Sequence, residues 1–282
     1  MKIRAIILSA LILCGISAVI MYSRAAQPQQ TSSVITQAIN DKNTPMVIKN
    51  LILKMKEQME VNDDQFPELI KEVENYTNSL ADSASVAVLH SMLAEMYQSY
   101  YQRNQWTINQ RTQLSGYIPE DIRVWTSNLF TDKIKEEIDL SLRPTALLQN
   151  TPVSKFKDIL EIGKDSQTLR PTLYEFLAFR ALDIQPTVQI YKDLIAFQNK
   201  EPNMKSVLLT ELDYLRFLYG DKRDKESFEA YMNALDELYR NLASQNYAAE
   251  ILIAKLDLVS GSMFRYVSTQ WDSIKAEEVK LC

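Results

Sequence analysis

The chain has 282 residues, and its 36 acidic and 31 basic residues give a net charge of −5, which disfavours binding to nucleic-acid phosphates. With only five glycines and one histidine, it lacks glycine-rich phosphate loops and cannot form a paired-histidine metal site. We therefore expect no nucleic-acid partner and no cofactor.

The first 26 residues are typical of a secretory signal peptide. Lys2 and Arg4 precede an uncharged apolar run over 5–21, and small residues up to Ala25 occupy the positions that signal peptidase inspects. We expect cleavage after Ala25 or Ala26. The protein is then exported across the inner membrane and is periplasmic or associated with the cell envelope.

Two alternatives would keep the N-terminus at the membrane. The apolar run is just long enough to serve as an uncleaved anchor. Lipidation at Cys14 is disfavoured, because Leu13 is bulky and the apolar run continues beyond the cysteine. A membrane contact is expected only through one of these anchors. After cleavage the only thiol left is Cys282, so a packed core and not an internal disulfide must stabilise the chain.

Helical periodicity dominates the N-terminal helical region, which we assign to 27–150. Apolar residues recur at the spacing of amphipathic helices, and few glycines interrupt them. The pattern weakens over 104–128 and is least regular over 143–153. The predicted helices are 35–41, 45–58, 67–80, 85–103 and 130–142.

The second region, 151–282, looks like a stack of antiparallel helix hairpins. Gly220 is expected to end one helix with a positive φ, Asp224 to cap the next, and Gly261 to break a later one. The predicted helices are 154–162, 170–184, 188–199, 204–219, 224–242, 247–259 and 268–282. The fold class is therefore all-α, an irregular helical array passing into TPR-like (tetratricopeptide-like) hairpins. This description comes from helix lengths, since the repeat consensus is missing.

The chain stops within a predicted helix. Residues 273–282 carry no capping residue, no glycine and no polar tail. Terminal repeats need a polar outer face, so we expect the region to be truncated. The chain is then a piece of a longer protein or a gene product cut short.

His90 and Arg180 both lie beside apolar helix faces, and each allows two interpretations. His90 could act as a base with Ser91 and Glu95, or it could be a half-buried structural histidine bonded to a neighbouring carbonyl or carboxylate. Arg180 could be a buried cation paired with a carboxylate on another helix, or its stem could pack while its head reaches water.

The aromatic cluster is the one candidate binding surface, comprising Tyr97, Tyr100, Tyr101 and Trp106. Tyrosine and tryptophan combine an apolar ring with a polar tip, which suits a sugar ring or a partner peptide. The alternative is core packing. We interpret the charge runs 133–139 and 221–226 as solvated helix faces or caps.

The stretches VLHSMLAEMYQSYYQRNQWTINQRT (88–112) and RPTLYEFLAFRALDI (170–184) resemble the N-terminal helical region of secreted alpha-2-macroglobulin-family proteins of Bacteroides-type bacteria. The resemblance implies a periplasmic or surface-anchored protein that traps or binds proteases. The macroglobulin domains, bait segment and thioester motif of that family are absent, so no functional residue carries over.

Two functions remain open, and neither is enzymatic. The first is a non-catalytic scaffold or interaction module of an exported alpha-2-macroglobulin-like protein, with protein partners that include proteases met through the full-length protein. The alternative is a stand-alone helical binding protein of the cell envelope that holds a glycan or peptide.

Overall fold

The computed structural model describes residues 35–39, 41, 43–61, 65–112, 117–160, 163, 165–200, 203–220 and 224–263. This part of the chain is all-α, as predicted. It contains a helical turn at 35–39, eleven further α-helices and two 3-10 helices, with no β-strand beyond an isolated bridge between Pro152 and Thr172. The signal peptide, the predicted helix 268–282 and the expected uncapped end lie outside the described residues.

The chain divides after Gln185 into two compact units. Residues 151–185, which the sequence analysis assigns to the TPR-like region, belong to the first unit. Its helices are α1 Thr44–Val61, α2 Phe66–Ser79, α3 Ser83–Ile108, α4 Ser127–Ser141, α5 Thr145–Asn150, α6 Ser166–Leu169 and α7 Leu173–Ile184. Short 3-10 helices occupy Ile122–Val124 and Val153–Phe156.

Helix α3 is the centre of the first unit. It packs against α1, α2, α4 and α7. Its first four turns are rich in alanine, leucine and methionine, which favour helix and are small or flexible enough to pack against several neighbours. Leu89, Leu93, Met96 and Tyr97 are essentially inaccessible to solvent. Side chains carried by α3 are therefore positioned by the core of the unit.

One carboxylate joins three segments at the start of α3. Asp82 Oδ2 accepts hydrogen bonds from Thr44 Oγ1 at 2.9 Å and from Ser85 Oγ at 2.6 Å. Lys155 Nζ lies 3.2 Å from the same oxygen. Burial alone would raise the pKa of Asp82, but these hydrogen bonds outweigh it and hold the pKa below its usual value. The beginnings of α1 and α3 are thereby tied to the 3-10 helix at Val153–Phe156.

The second unit, 186–282, has its own core. Its helices are α8 Val188–Gln198, α9 Met204–Tyr219, α10 Lys225–Leu242 and α11 Ala249–Met263. Side chains of Thr187, Asn203 and Asp224 accept hydrogen bonds from the first turns of α8, α9 and α10, so the predicted cap at Asp224 is confirmed. The buried cluster contains Leu208, Leu212, Tyr231, Leu235, Ile251 and Ala254. The TPR-like character of these helices stays a prediction.

Several of the helix boundaries expected from the sequence are wrong. Gly220 has φ −63° and not a positive φ, so α9 ends without a left-handed residue. Gly261 lies inside α11 and does not break it. Over 154–160, the described part of the predicted helix 154–162, the chain forms only the end of the 3-10 helix, a turn and a bend. The irregular stretch 143–153, in contrast, contains α5.

Candidate functional site at the exposed end of helix α3

The structure separates the four predicted aromatic residues. Tyr97 is only 1% exposed and belongs to the core. Its ring stacks on Trp125 with centroids 5.6 Å apart, and its hydroxyl donates to Glu74 Oε1 at 2.8 Å. Burial, reinforced by Glu74, raises the pKa of Tyr97 well above its usual value. Tyr97 is therefore not part of a binding surface.

Tyr100 and Tyr101 are half-buried and connect this core to the surface. Their ring centroids lie 5.6 Å and 5.8 Å from that of Phe130 on α4. Burial raises the pKa of Tyr100. The hydroxyl of Tyr101 donates to Asn109 Oδ1 at 3.2 Å, which links the body of α3 to the residue that caps its C-terminal end.

Trp106 alone of the four stands fully in solvent. It is 79% exposed, more than any other large hydrophobic side chain in the described part of the chain. It lies nine residues after Tyr97, about two and a half helical turns, so the two side chains point in opposite directions. That spacing is the sequence signal that separates Trp106 from the buried tyrosine.

The turn that carries Trp106 is fixed to the core. Ile108, in the same turn, is fully buried. Arg111 Nη1 then donates to the backbone oxygen of Trp125 at 2.7 Å, and Trp125 Nε1 donates to Pro119 O at 2.6 Å. These bonds fasten the returning segment against the end of α3. The indole is therefore presented by an ordered element and not by a free loop.

Sequence reasoning missed three apolar residues on the returning segment. Tyr117, Ile118 and Val124 are 61%, 69% and 54% exposed. The irregular stretch has no periodicity that could have assigned them to a surface. Trp106, Ile118, Tyr117 and Val124 are the four most exposed large hydrophobic side chains among the described residues.

His90 is the structural histidine of the second interpretation. Its Nδ1 lies 2.6 Å from Glu137 Oε2, and Lys133 Nζ lies 2.8 Å from Glu137 Oε1. Burial alone would raise the pKa of Glu137, but the hydrogen bonds from His90 and Lys133 hold it below its usual value. Because an ionised carboxylate only accepts hydrogen bonds, His90 carries its proton on Nδ1.

Glu137 itself corrects the interpretation of its charge run. It is 2% exposed, whereas its neighbour Glu136 faces solvent, so the 133–139 stretch is not a wholly solvated face. Adjacent helical residues point about 100° apart, which explains the difference. The sequence did carry a signal for the buried member of the pair, because Glu137 follows Phe130 by seven residues and Ile134 by three, which is the spacing of one helix face.

Arg180 is the buried cation of the first interpretation. It is 8% exposed, its Nε donates to Ser91 Oγ at 2.8 Å, and its Nη2 donates to Glu95 Oε2 at 2.6 Å. The alternative in which its head reaches water is wrong. Ser91 and Glu95, the residues that could have joined His90 in catalysis, are thus bonded to a side chain of α7.

No protein-family model matches this chain, and comparison with curated proteins and with solved structures also yields no match. Within the described ranges, no group of three or more histidine, cysteine, aspartate or glutamate side chains is arranged to hold a metal ion. No helix among these residues is both long and apolar enough to cross a bilayer.

Proposed function

We propose that the chain is a non-catalytic helical interaction module of an exported, periplasmic or cell-envelope protein of alpha-2-macroglobulin type. Its partners are proteins, and proteases are met through the full-length protein. The alpha-2-macroglobulin part of the proposal rests on the resemblance of 88–112 and 170–184. The structure supports a non-catalytic role, since His90 and Arg180 each serve an inter-helix contact.

The observation that carries a binding role is the exposure of Trp106. A large ring that is 79% exposed forfeits most of its burial free energy, yet it stands on a well-anchored helical turn. Tryptophan is enriched among the residues that dominate binding interfaces. A pre-ordered anchor also binds at a lower entropic cost than a mobile one.

A site-specific cross-linking experiment tests this role. A photo-reactive amino acid replaces Trp106 in cells that export the chain, and the same amino acid at Ile253 serves as the matched control. Ile253 is 50% exposed and lies on α11, far along the chain from α3. We expect a discrete protein adduct at position 106 that the control position does not form. Identical adduct patterns at the two positions would remove the support for a surface at Trp106.

A second candidate function is a stand-alone cell-envelope protein that holds a glycan or peptide. Four exposed amide side chains near Trp106 favour it, because they can both donate hydrogen bonds to a ligand and accept them: Gln102, Gln105, Asn109 and Gln110. The coding DNA separates the two candidates. A reading frame that continues past codon 282 into β-sandwich domains supports the alpha-2-macroglobulin proposal, whereas a stop codon there followed by unrelated genes supports the second candidate.

A further inference from the structure

We propose that Trp106 and the amides around it form a binding site for a neutral carbohydrate. The inference rests on the second candidate function, a glycan or peptide held at Trp106, and names the ligand class. The site consists of Trp106 with Gln102, Gln105, Asn109 and Gln110.

The first argument is the arrangement of these amides. Gln102 lies one helical turn before Trp106 and Gln105 directly precedes it, both on α3. Asn109 caps the C-terminal end of that helix, and Gln110 follows in the turn. All five side chains are exposed. Amides therefore precede and follow the indole at the end of α3.

The second argument is the hydrogen-bonding capacity of the amides. Among the described residues, the side chains of Gln102, Gln105 and Gln110 make no hydrogen bond to the protein. Asn109 Oδ1 accepts a hydrogen bond from the Tyr101 hydroxyl, and this bond orients the amide. The two N–H donors of Asn109 are left to bond a ligand. Each amide offers both donors and acceptors, which is the set that a row of hydroxyl groups requires.

The third argument is charge. From Met96 through Pro119 the sequence contains no aspartate, glutamate or lysine, in a chain with 36 acidic residues. The two arginines of this stretch are already engaged. The Arg103 guanidinium lies 5.5 Å from the centre of the Phe66 ring, and Arg111 donates to Trp125 O. Both guanidinium groups are thus held against other parts of the protein, and the stretch carries no carboxylate and no ammonium group to select an ionic ligand.

These features fit a neutral sugar better than other ligand classes. The C–H face of a pyranose packs on an indole, and its hydroxyl groups then reach the flanking amides. An extended peptide is normally bound at a strand edge or in an apolar groove, and a convex helix end offers neither. An anionic lipid surface is recognised by clusters of lysine and arginine, which this face lacks.

Isothermal titration calorimetry of the full chain tests the assignment. The probes are short oligomers of glucose, of N-acetylglucosamine and of galacturonate, an unstructured peptide, and vesicles of phosphatidylglycerol and phosphatidylcholine. We expect binding of a neutral oligomer that Trp106→Ala weakens about tenfold or more, since it removes the stacking ring. Gln105→Ala should weaken it about threefold through lost hydrogen bonds. Ile253→Ala, the exposed apolar control, should bind like the parent.

The outcomes separate this inference from the proposed function. Equal or tighter binding of galacturonate, or Trp106-dependent binding of vesicles or peptide alone, overturns the sugar assignment and leaves a binding role for Trp106. The same holds if no neutral oligomer binds while cross-linking at position 106 still yields its protein adduct. If no sugar binding depends on Trp106 and position 106 yields no adduct beyond that of the control position, both proposals are contradicted. Circular dichroism of each variant verifies that the helices are retained.

Discussion

At the scale of single residues, Arg180 joins α7 to α3 through a nearly buried ion pair. Its guanidinium is nearly buried and bonds to a hydroxyl and a carboxylate on α3, and its ring neighbour is Phe176 at 5.9 Å. A buried ion pair adds little net stability relative to an apolar replacement of both partners. Removal of one partner, however, leaves the other buried without an opposite charge. The pair therefore fixes how α7 lies on α3 more than it stabilises the unit.

We predict that Arg180→Met destabilises the chain by about 3 kcal/mol, because it leaves the mostly buried Glu95 without its partner. Urea unfolding followed by tryptophan fluorescence measures this loss. The double variant Arg180→Met with Glu95→Gln should recover part of the stability. Arg216→Met is the matched control, since the Arg216–Asp213 pair is largely exposed, and it should change stability by less than about 0.5 kcal/mol. Equal losses in the two single variants would contradict the buried-pair account.

Glu137 makes the first unit sensitive to acid. Its pKa in the folded protein lies below the usual 4.5, because the hydrogen bonds from His90 and Lys133 outweigh desolvation. The folded state therefore binds fewer protons than the unfolded state in this range. The resulting stabilisation is fully present above pH 4.5 and is lost as the pH falls through the folded value.

Replacing Glu137 by glutamine should flatten the pH dependence of stability below about pH 5, because glutamine does not titrate. Free energies of unfolding at several pH values between about 3 and 7 measure this slope. Glu136→Gln is the neighbouring control, as Glu136 is mostly exposed and should leave the slope close to that of the parent. An unchanged slope in Glu137→Gln would show that other carboxylates govern acid unfolding.

For individual helices, the sequence predicts that a helix forms better than it predicts where that helix begins and ends. Apolar periodicity identified α2, α3, α4 and α7 to α11, because each buries a continuous stripe. It ended α3 too early, since polar residues after Arg103 hid the fact that Ile108 anchors one more turn. That extra turn decides the site, because it places Trp106 on a helix. The two and a half turns between Tyr97 and Trp106 then place these two side chains on opposite sides of α3.

Two glycines of the second unit give opposite predictions. A Cβ at Gly261 would meet nothing within 4 Å, and the residue lies inside α11, so Gly261→Ala should stabilise by about 0.5–1 kcal/mol. At Gly220 a Cβ would lie 2.5 Å from Arg216 O, so Gly220→Ala should destabilise the chain. Thermal unfolding of both variants compares them directly. A loss of stability in Gly261→Ala would restore the expectation that this glycine breaks the helix.

For the whole molecule, composition sufficed for the fold class but not for the contacts. Few glycines and near-continuous helical periodicity predicted an all-α chain, and the described residues confirm it. The pairings of Arg180 with Glu95 and of His90 with Glu137 join residues 85 and 47 positions apart, so no local pattern could reveal them. The sequence named the aromatic region but not which of its rings is exposed.

The proposed export of the chain predicts a defined mature N-terminus. Protein recovered from the periplasm of an exporting host should begin at Ala26 or Gln27, because signal peptidase requires small residues before its cut. Intact-mass spectrometry measures this. A chain that retains Met1 would indicate an anchor, and a chain that begins at Cys14 with added acyl mass would indicate lipidation.

The pairing of His90 with Glu137 also makes the chain unusually easy to monitor by proton NMR. His90 is the only histidine among 282 residues, so its imidazole contributes one pair of carbon-bound proton signals without isotope labelling or assignment. Since the ring lies between α3 and α4, the chemical shifts of that pair report whether these two helices remain packed. A single spectrum could thus follow the integrity of the first unit in any variant or mixture.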